Sequence, residues 1–96
     1  MTNKAHSAVV NRMITRYQGK PANDGAIDVV GGGLQIAVET TATLATNFPT
    51  ILALPGTRYI AVTNQESLTE ALRLTAGTPV GVMNSKGDIV KEAESA

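Results

Sequence analysis

Two carboxylates stand eleven residues apart in the stretch AIDVVGGGLQIAVET, residues 26 to 40: Asp28 and Glu39. Acids brought close together can hold a divalent metal and set water against a phosphodiester. Their separation along the chain does not bring them together, so the residues between them must. Those residues include three glycines, Gly31, Gly32 and Gly33, which allow either a tight turn or a phosphate cradle. The remaining inventory is short. There is no cysteine, which removes thiolate nucleophiles, disulfides and zinc–thiolate sites, and the single His6 cannot build a His-rich metal site. As a lone imidazole near a helix start, His6 reads as a surface or edge residue. No Ser, His and Asp set and no lysine-bearing phosphate loop is present.

Cations come next. Lys4, Arg12, Arg16 and Lys20 all precede the first acid, Asp24, although the formal net charge of the chain is zero. Neutral charge gives no bulk pull toward nucleic acid or anionic lipid. A local patch of Arg12, Arg16 and Lys20 could still meet phosphates, and Arg58, just before a strand, could face the same edge as the acids. The plain reading of these residues is a solvated helix face and a strand-end charge.

The elements that would position them follow from periodicity. Val9, Val10, Met13, Ile14 and Tyr17 recur at helical spacing, so a helix occupies residues 4 to 18 within an N-terminal segment 1–20, stopped by Gly19 and Pro21. KPANDG reads as a loop. Downstream, a short helix is expected to begin near Asn47 to Pro49 and to stop at Pro55-Gly56, because proline suits a first turn and not a helix interior. RYIAVTN is a strand. NQESLTEALRLTAG is a helix capped by Asn64, with Leu68, Ala71, Leu72 and Thr75 on one face and Gly77 at its end. TPVGVMNSKGDIVKE is a hairpin across NSKG, and residues 92–96 form a frayed tail.

Residues 26–40 form a hairpin if Gly32 and Gly33 are its two turn residues. Val30 then faces Gln35, Val29 faces Ile36, Asp28 faces Ala37 and Ile27 faces Val38. One face carries Ile27, Val29, Leu34, Ile36 and Val38; the other carries Asp28, Val30, Gln35, Ala37 and Glu39. In this register Asp28 and Glu39 are near-diagonal neighbours within metal-sharing distance. The same segment can also be drawn as a helix from Leu34, with Leu34, Ala37, Val38, Thr41 and Ala45 on one side. A third reading is a plain tight turn with two exposed strand charges.

The hairpin arrangement, with its acid pair and the element order α-β-β-α-β-α-β-β, resembles the PD-(D/E)xK nuclease superfamily over nearly the whole chain. That resemblance implies an α/β fold of restriction-endonuclease-like type, a small mixed sheet flanked by helices. It implies Mg²⁺ held by Asp28 and Glu39 as the catalytic and metal-binding residues, with nucleic acid as partner. Asp28 matches the family's first acid, and IAVET stands where the acid-x-Lys motif belongs. With IAVE on the family's IEVK, the acid becomes Ala37 and the lysine Glu39; with Glu39 as the acid, the lysine position is Thr41. Neither register keeps the triad, so a degenerate, non-catalytic module stands beside an active enzyme. In an active one, Gln35 or Thr41 would adjust the site.

A second stretch, VGGGLQIAVETTATLATNFPTILAL, resembles the GGG…E…P segment of LOG-like Rossmann proteins over residues 31–54. Gly31, Gly32, Gly33, Glu39 and Pro49 are the matching positions, and the implied property is nucleotide or phosphosugar binding at the glycines. Against it, Gln35-Ile36 replaces the family's Gly-Thr, and ETTAT is rich in β-branched residues. About twenty-five residues upstream leave too little chain for a complete Rossmann unit.

Composition bounds the rest. Ninety-six residues make a single domain, 1–96, whose core must come from Val, Ile, Leu, Ala and Met, because only 3% of residues are aromatic. Self-association into a homo-oligomer, a dimer first, is expected of so small a core. No apolar run has the length of a membrane span and none has the form of a secretory leader, so a cytoplasmic location is expected. Three functional expectations follow: a nuclease-like domain that binds nucleic acid, a homo-oligomeric interaction protein, and a nucleotide-binding module.

Overall fold

The computed structural model describes residues 4–94. Three helices flank a mixed six-stranded sheet whose strands lie in the order β1-β2-β3-β4-β5-β6. The elements are α1 (Lys4–Tyr17), β1 (Lys20–Asp24), β2 (Ile27–Gly31), β3 (Leu34–Glu39), α2 (Leu44–Ala53), β4 (Thr57–Val62), α3 (Gln65–Thr75), β5 (Gly81–Met83) and β6 (Ile89–Lys91). β1, β2 and β3 form an antiparallel meander; β3, β4 and β5 run parallel, and β6 returns antiparallel at the far edge.

The α/β class is as the periodicities require, with one strand more than expected. KPANDG, read above as a loop, is mostly β1. Its turn-forming composition is tolerated because β1 is an edge strand, where Pro21 removes no bond from an inner ladder. The chain reaches it through Gln18, which has a positive φ of 52°, and Gly19, whose N–H donates to the carbonyl of Ile14. A Cβ on Gly31 would lie 2.5 Å from the Gly19 Cα, so the close approach of β1 and β2 there requires glycine.

Gly32 and Gly33, with φ of 58° and 80°, are the two turn residues of the β2–β3 hairpin, the positive-φ pair that a two-residue loop needs. Val29 pairs with Ile36 and Val30 with Gln35, in the register expected. Leu34–Glu39 is a strand, so no helix begins after the glycines and the phosphate-cradle geometry is not formed. The register does not continue to Asp28–Ala37 and Ile27–Val38; the paired stretch ends at Val29.

Two cores lie on opposite faces of the sheet. Along β4, Tyr59 and Ala61 join Val9 and Met13 of α1, together with Val29, Ile36, Val38 and Met83. The alternate residues Ile60 and Val62 join Ala37, Leu44 and Ile51 of α2, and Ala71 of α3. Of the hairpin face expected to carry Asp28, Val30, Gln35, Ala37 and Glu39, Ala37 and Glu39 are buried on the α2 and α3 side, Val30 is exposed, and Asp28 turns to α1. Ile27 packs in the α2/α3 core rather than with Val29, because β2 leaves its regular pairing at Asp28.

α2 begins at Leu44, three residues before the expected start, and carries Pro49 in its interior. Pro49 and Ala45 are both exposed, so water can take the Ala45 carbonyl that proline leaves without a donor. α3 starts as the sequence requires: Asn64 accepts from the Ser67 N–H at 2.7 Å, and Ser67 Oγ accepts from the Asn64 N–H at 3.2 Å. Of the expected tail, Glu94 donates its N–H to the Pro79 carbonyl at 2.8 Å, while residues 95 and 96 lie outside the described range. No helix among the described residues is long and apolar enough to cross a membrane.

Candidate functional site

Both acids lie at the end of the sheet where β3 finishes. Beyond Val29 the β2–β3 ladder stops, and the Asp28 carboxylate accepts the Val38 N–H at 2.8 Å through Oδ2. A side chain thus supplies the acceptor for a strand N–H, and Val38 itself is 2% exposed. The other oxygen, Oδ1, lies 3.4 Å from Nε2 of His6 in the first turns of α1. His6, expected at the surface, is half-buried and is one wall of this site.

Glu39 turns the other way. It is 2% exposed and accepts from Asn47 Nδ2 of α2 at 2.8 Å. Burial raises the proton affinity of its carboxyl above that of an ordinary glutamate. Hydrogen bonds from Asn47 and Thr43 oppose that rise, the charge of Asp28 adds to it, and His6 lowers it slightly. The coupling shows that the two acids share one electrostatic neighbourhood. Their hydrogen bonds show that they serve different layers, Asp28 facing α1 and Glu39 lying under α2.

Sequence reasoning missed Asn47 and Thr43. The signal was their spacing, one turn apart, which places both against the end of β3 only if α2 starts at Leu44. Starting the helix at Asn47 takes Thr43 away from its N-cap position.

The expected phosphate contacts are rearranged. Arg58 is 2% exposed, and its Nη1 donates to the carbonyls of Leu52 and Leu54, which end α2. It clamps a helix C-terminus, where a cation is favoured, and does not reach a surface phosphate. Its Nε and Nη2 are buried without a hydrogen-bond partner. Arg12 donates to the Ser85 carbonyl at 2.6 Å, and Arg16 binds both the Lys86 carbonyl and Asp88 Oδ1. These two arginines remain exposed, yet they tie α1 to the β5–β6 loop, helped by Tyr17 Oη donating to the Gly87 carbonyl. Lys20 is exposed on β1.

The donor set does not fit a resident Mg²⁺. An oxygen of each acid is occupied by a protein N–H, burial raises the proton affinity of the Glu39 carboxyl, and the two carboxylates face different layers rather than one shared position. No group of three or more His, Asp or Glu side chains placed to hold a metal occurs among the described residues.

Two hollows open on the surface. One, about 350 Å³, is lined by His6, Ser7, Val10, Asn11, Pro21, Ala22 and Asp28. The other, about 500 Å³, lies between α2 and α3 and is lined by Thr41, Ala45, Glu66, Thr69 and Glu70. Comparison with protein-family models, with curated proteins and with solved structures finds no match to this chain.

Proposed function

We propose that this chain is a nuclease-like domain that binds nucleic acid and does not cut it. The observation that carries this reading is the placement of Asp28 on β2 and Glu39 on the adjacent β3 at one end of a mixed sheet, with each carboxylate holding a protein hydrogen bond on its own side. The first half of that observation is what the PD-(D/E)xK resemblance requires. The second half removes the metal. With Thr41 or Glu39 where the motif lysine belongs, no ammonium stands ready to assist an attacking water. Lys4, Lys20 and Lys86 are the exposed cations left for phosphate, since Arg58 is buried, Arg12 and Arg16 hold the β5–β6 loop, Arg73 pairs with Glu70 and Lys91 donates to the Thr78 and Val80 carbonyls. A salt-titrated measurement of oligonucleotide binding tests the reading. Affinity that falls as salt rises supports it, and no affinity even at low ionic strength overturns it.

A homo-oligomeric interaction protein is the second reading, favoured by one feature. Ile89 and Val90, 41% and 45% exposed, lie on the edge strand β6, which lacks the proline that guards β1. Sedimentation at several protein concentrations distinguishes a monomer from this alternative.

A further inference from the structure

We propose that the groove between α1 and β1 takes an unpaired nucleobase bearing an exocyclic amine, with Asp28 accepting its N–H and Ser7 and Asn11 completing the edge. This deepens the nucleic-acid reading above and rests on it.

The groove, about 350 Å³, is within the range of small-molecule sites. Val10, Pro21 and Ala22 give it apolar walls, and His6, Ser7, Asn11 and Asp28 give it polar groups of mixed character. Asp28 Oδ2 takes the Val38 N–H, so Oδ1, 3.4 Å from His6 Nε2, is the oxygen left to accept from a ligand, whereas the hydroxyl of Ser7 and the carboxamide of Asn11 each donate and accept. That mixture decides the ligand class. A guanidinium or ammonium only donates, so it would leave the donors of Ser7 and Asn11 without acceptors. A nucleobase edge carries donors and acceptors together. Adenine, cytosine and guanine offer a carboxylate an exocyclic amine, whereas thymine offers only its ring N3–H.

Charge points the same way. Lys4 and Lys20 are exposed and lie on α1 and β1, the two elements that form the groove. The hollow between α2 and α3 is lined by Glu66 and Glu70, the latter paired with Arg73, and offers no cation of its own lining to a phosphate. Single-stranded bases are free to present their pairing edges to a protein, so the partner is a single strand or an unpaired end.

The test uses the full chain, isotopically labelled, titrated with dAMP, dCMP, dGMP and dTMP while amide resonances are followed. The four probes share one phosphate, so binding by phosphate alone affects all equally. The expected result is movement of Ser7, Asn11, Ala22 and Asp28 with the three amine-bearing nucleotides, and affinity at least tenfold weaker for dTMP. Ser7→Ala with Asn11→Ala, both on a helix that tolerates alanine, is expected to lose about tenfold in affinity while β4 resonances stay in place. Asp28→Asn keeps an acceptor for Val38 and adds a donor, so it should shift preference toward dTMP. Equal response to all four nucleotides overturns the proposal, as does movement of the groove by agmatine and not by nucleotides. If a single-stranded oligonucleotide binds yet the nucleotides leave the groove unmoved, the groove assignment falls and the nucleic-acid reading stands. If neither binds, both fall.

Discussion

The Asp28 carboxylate accepts the Val38 backbone N–H at 2.8 Å, so an acid on β2 replaces a main-chain acceptor where the β2–β3 ladder ends. An unsatisfied N–H at a residue as buried as Val38 costs about 1–3 kcal/mol. Asp28→Ala should therefore destabilise the fold by that amount in urea unfolding, whereas Asp28→Asn, which retains an acceptor, should lose much less. Equal losses would mean that Asp28 acts through its charge rather than through this bond.

Glu39 makes an opposite kind of contribution. Burial raises its proton affinity in the folded state above the unfolded value, so the folded chain holds the proton more tightly. The stabilisation is full below the unfolded carboxyl range and disappears as pH rises through the folded value. Glu39→Gln, which can still accept from Asn47, removes this dependence. Chemical denaturation across the acid-to-neutral range should show wild type losing stability relative to Glu39→Gln as pH rises. A constant difference between the two proteins would show that Glu39 does not titrate differently on folding.

At Asp88 the sign reverses. The hydrogen bond from Arg16, and then that from Asn84, holds its carboxyl below the usual range. Its contribution is present above the unfolded value and is lost as pH falls through the folded one. Because the Arg16–Asp88 pair is exposed, the effect is local. Amide exchange at Gly87 and Asp88 should quicken in Arg16→Ala while β3 and β4 remain protected.

Arg58 separates a structural cation from a ligand-binding one. Its guanidinium closes the C-terminus of α2 from a fully enclosed position. Arg58→Ala should cost about 2–5 kcal/mol, as other large-to-small changes in a core do, and leave the oligonucleotide affinity of the folded protein unchanged. A fall in affinity without a fall in stability would return Arg58 to the binding surface.

Much of the fold was legible where local chemistry has one solution. Two adjacent positive-φ glycines between alternating apolar runs allowed one hairpin register, and Asn64 before an amphipathic run allowed one helix start. β1 was not legible, because Pro21 and the Asn-Asp-Gly run belong to a loop by composition and become a strand only by pairing with β2. The start of α2 was hidden by Pro49, whose cost is small only because its side of the helix faces water. For the site, the types and spacing of Asp28 and Glu39 were readable. Their engagement by Val38, His6, Asn47 and Thr43 depends on the end of the ladder and on the roof of α2, which no local pattern encodes.

Incubation of supercoiled and single-stranded DNA with the full chain in Mg²⁺ or Mn²⁺, beside Glu39→Ala, tests most directly whether the acid pair has left metal chemistry for internal bonding. The expected result is salt-sensitive DNA binding by the wild-type chain and no nicking by either protein in either metal. Metal-dependent nicking by the wild-type chain that disappears in Glu39→Ala would contradict it.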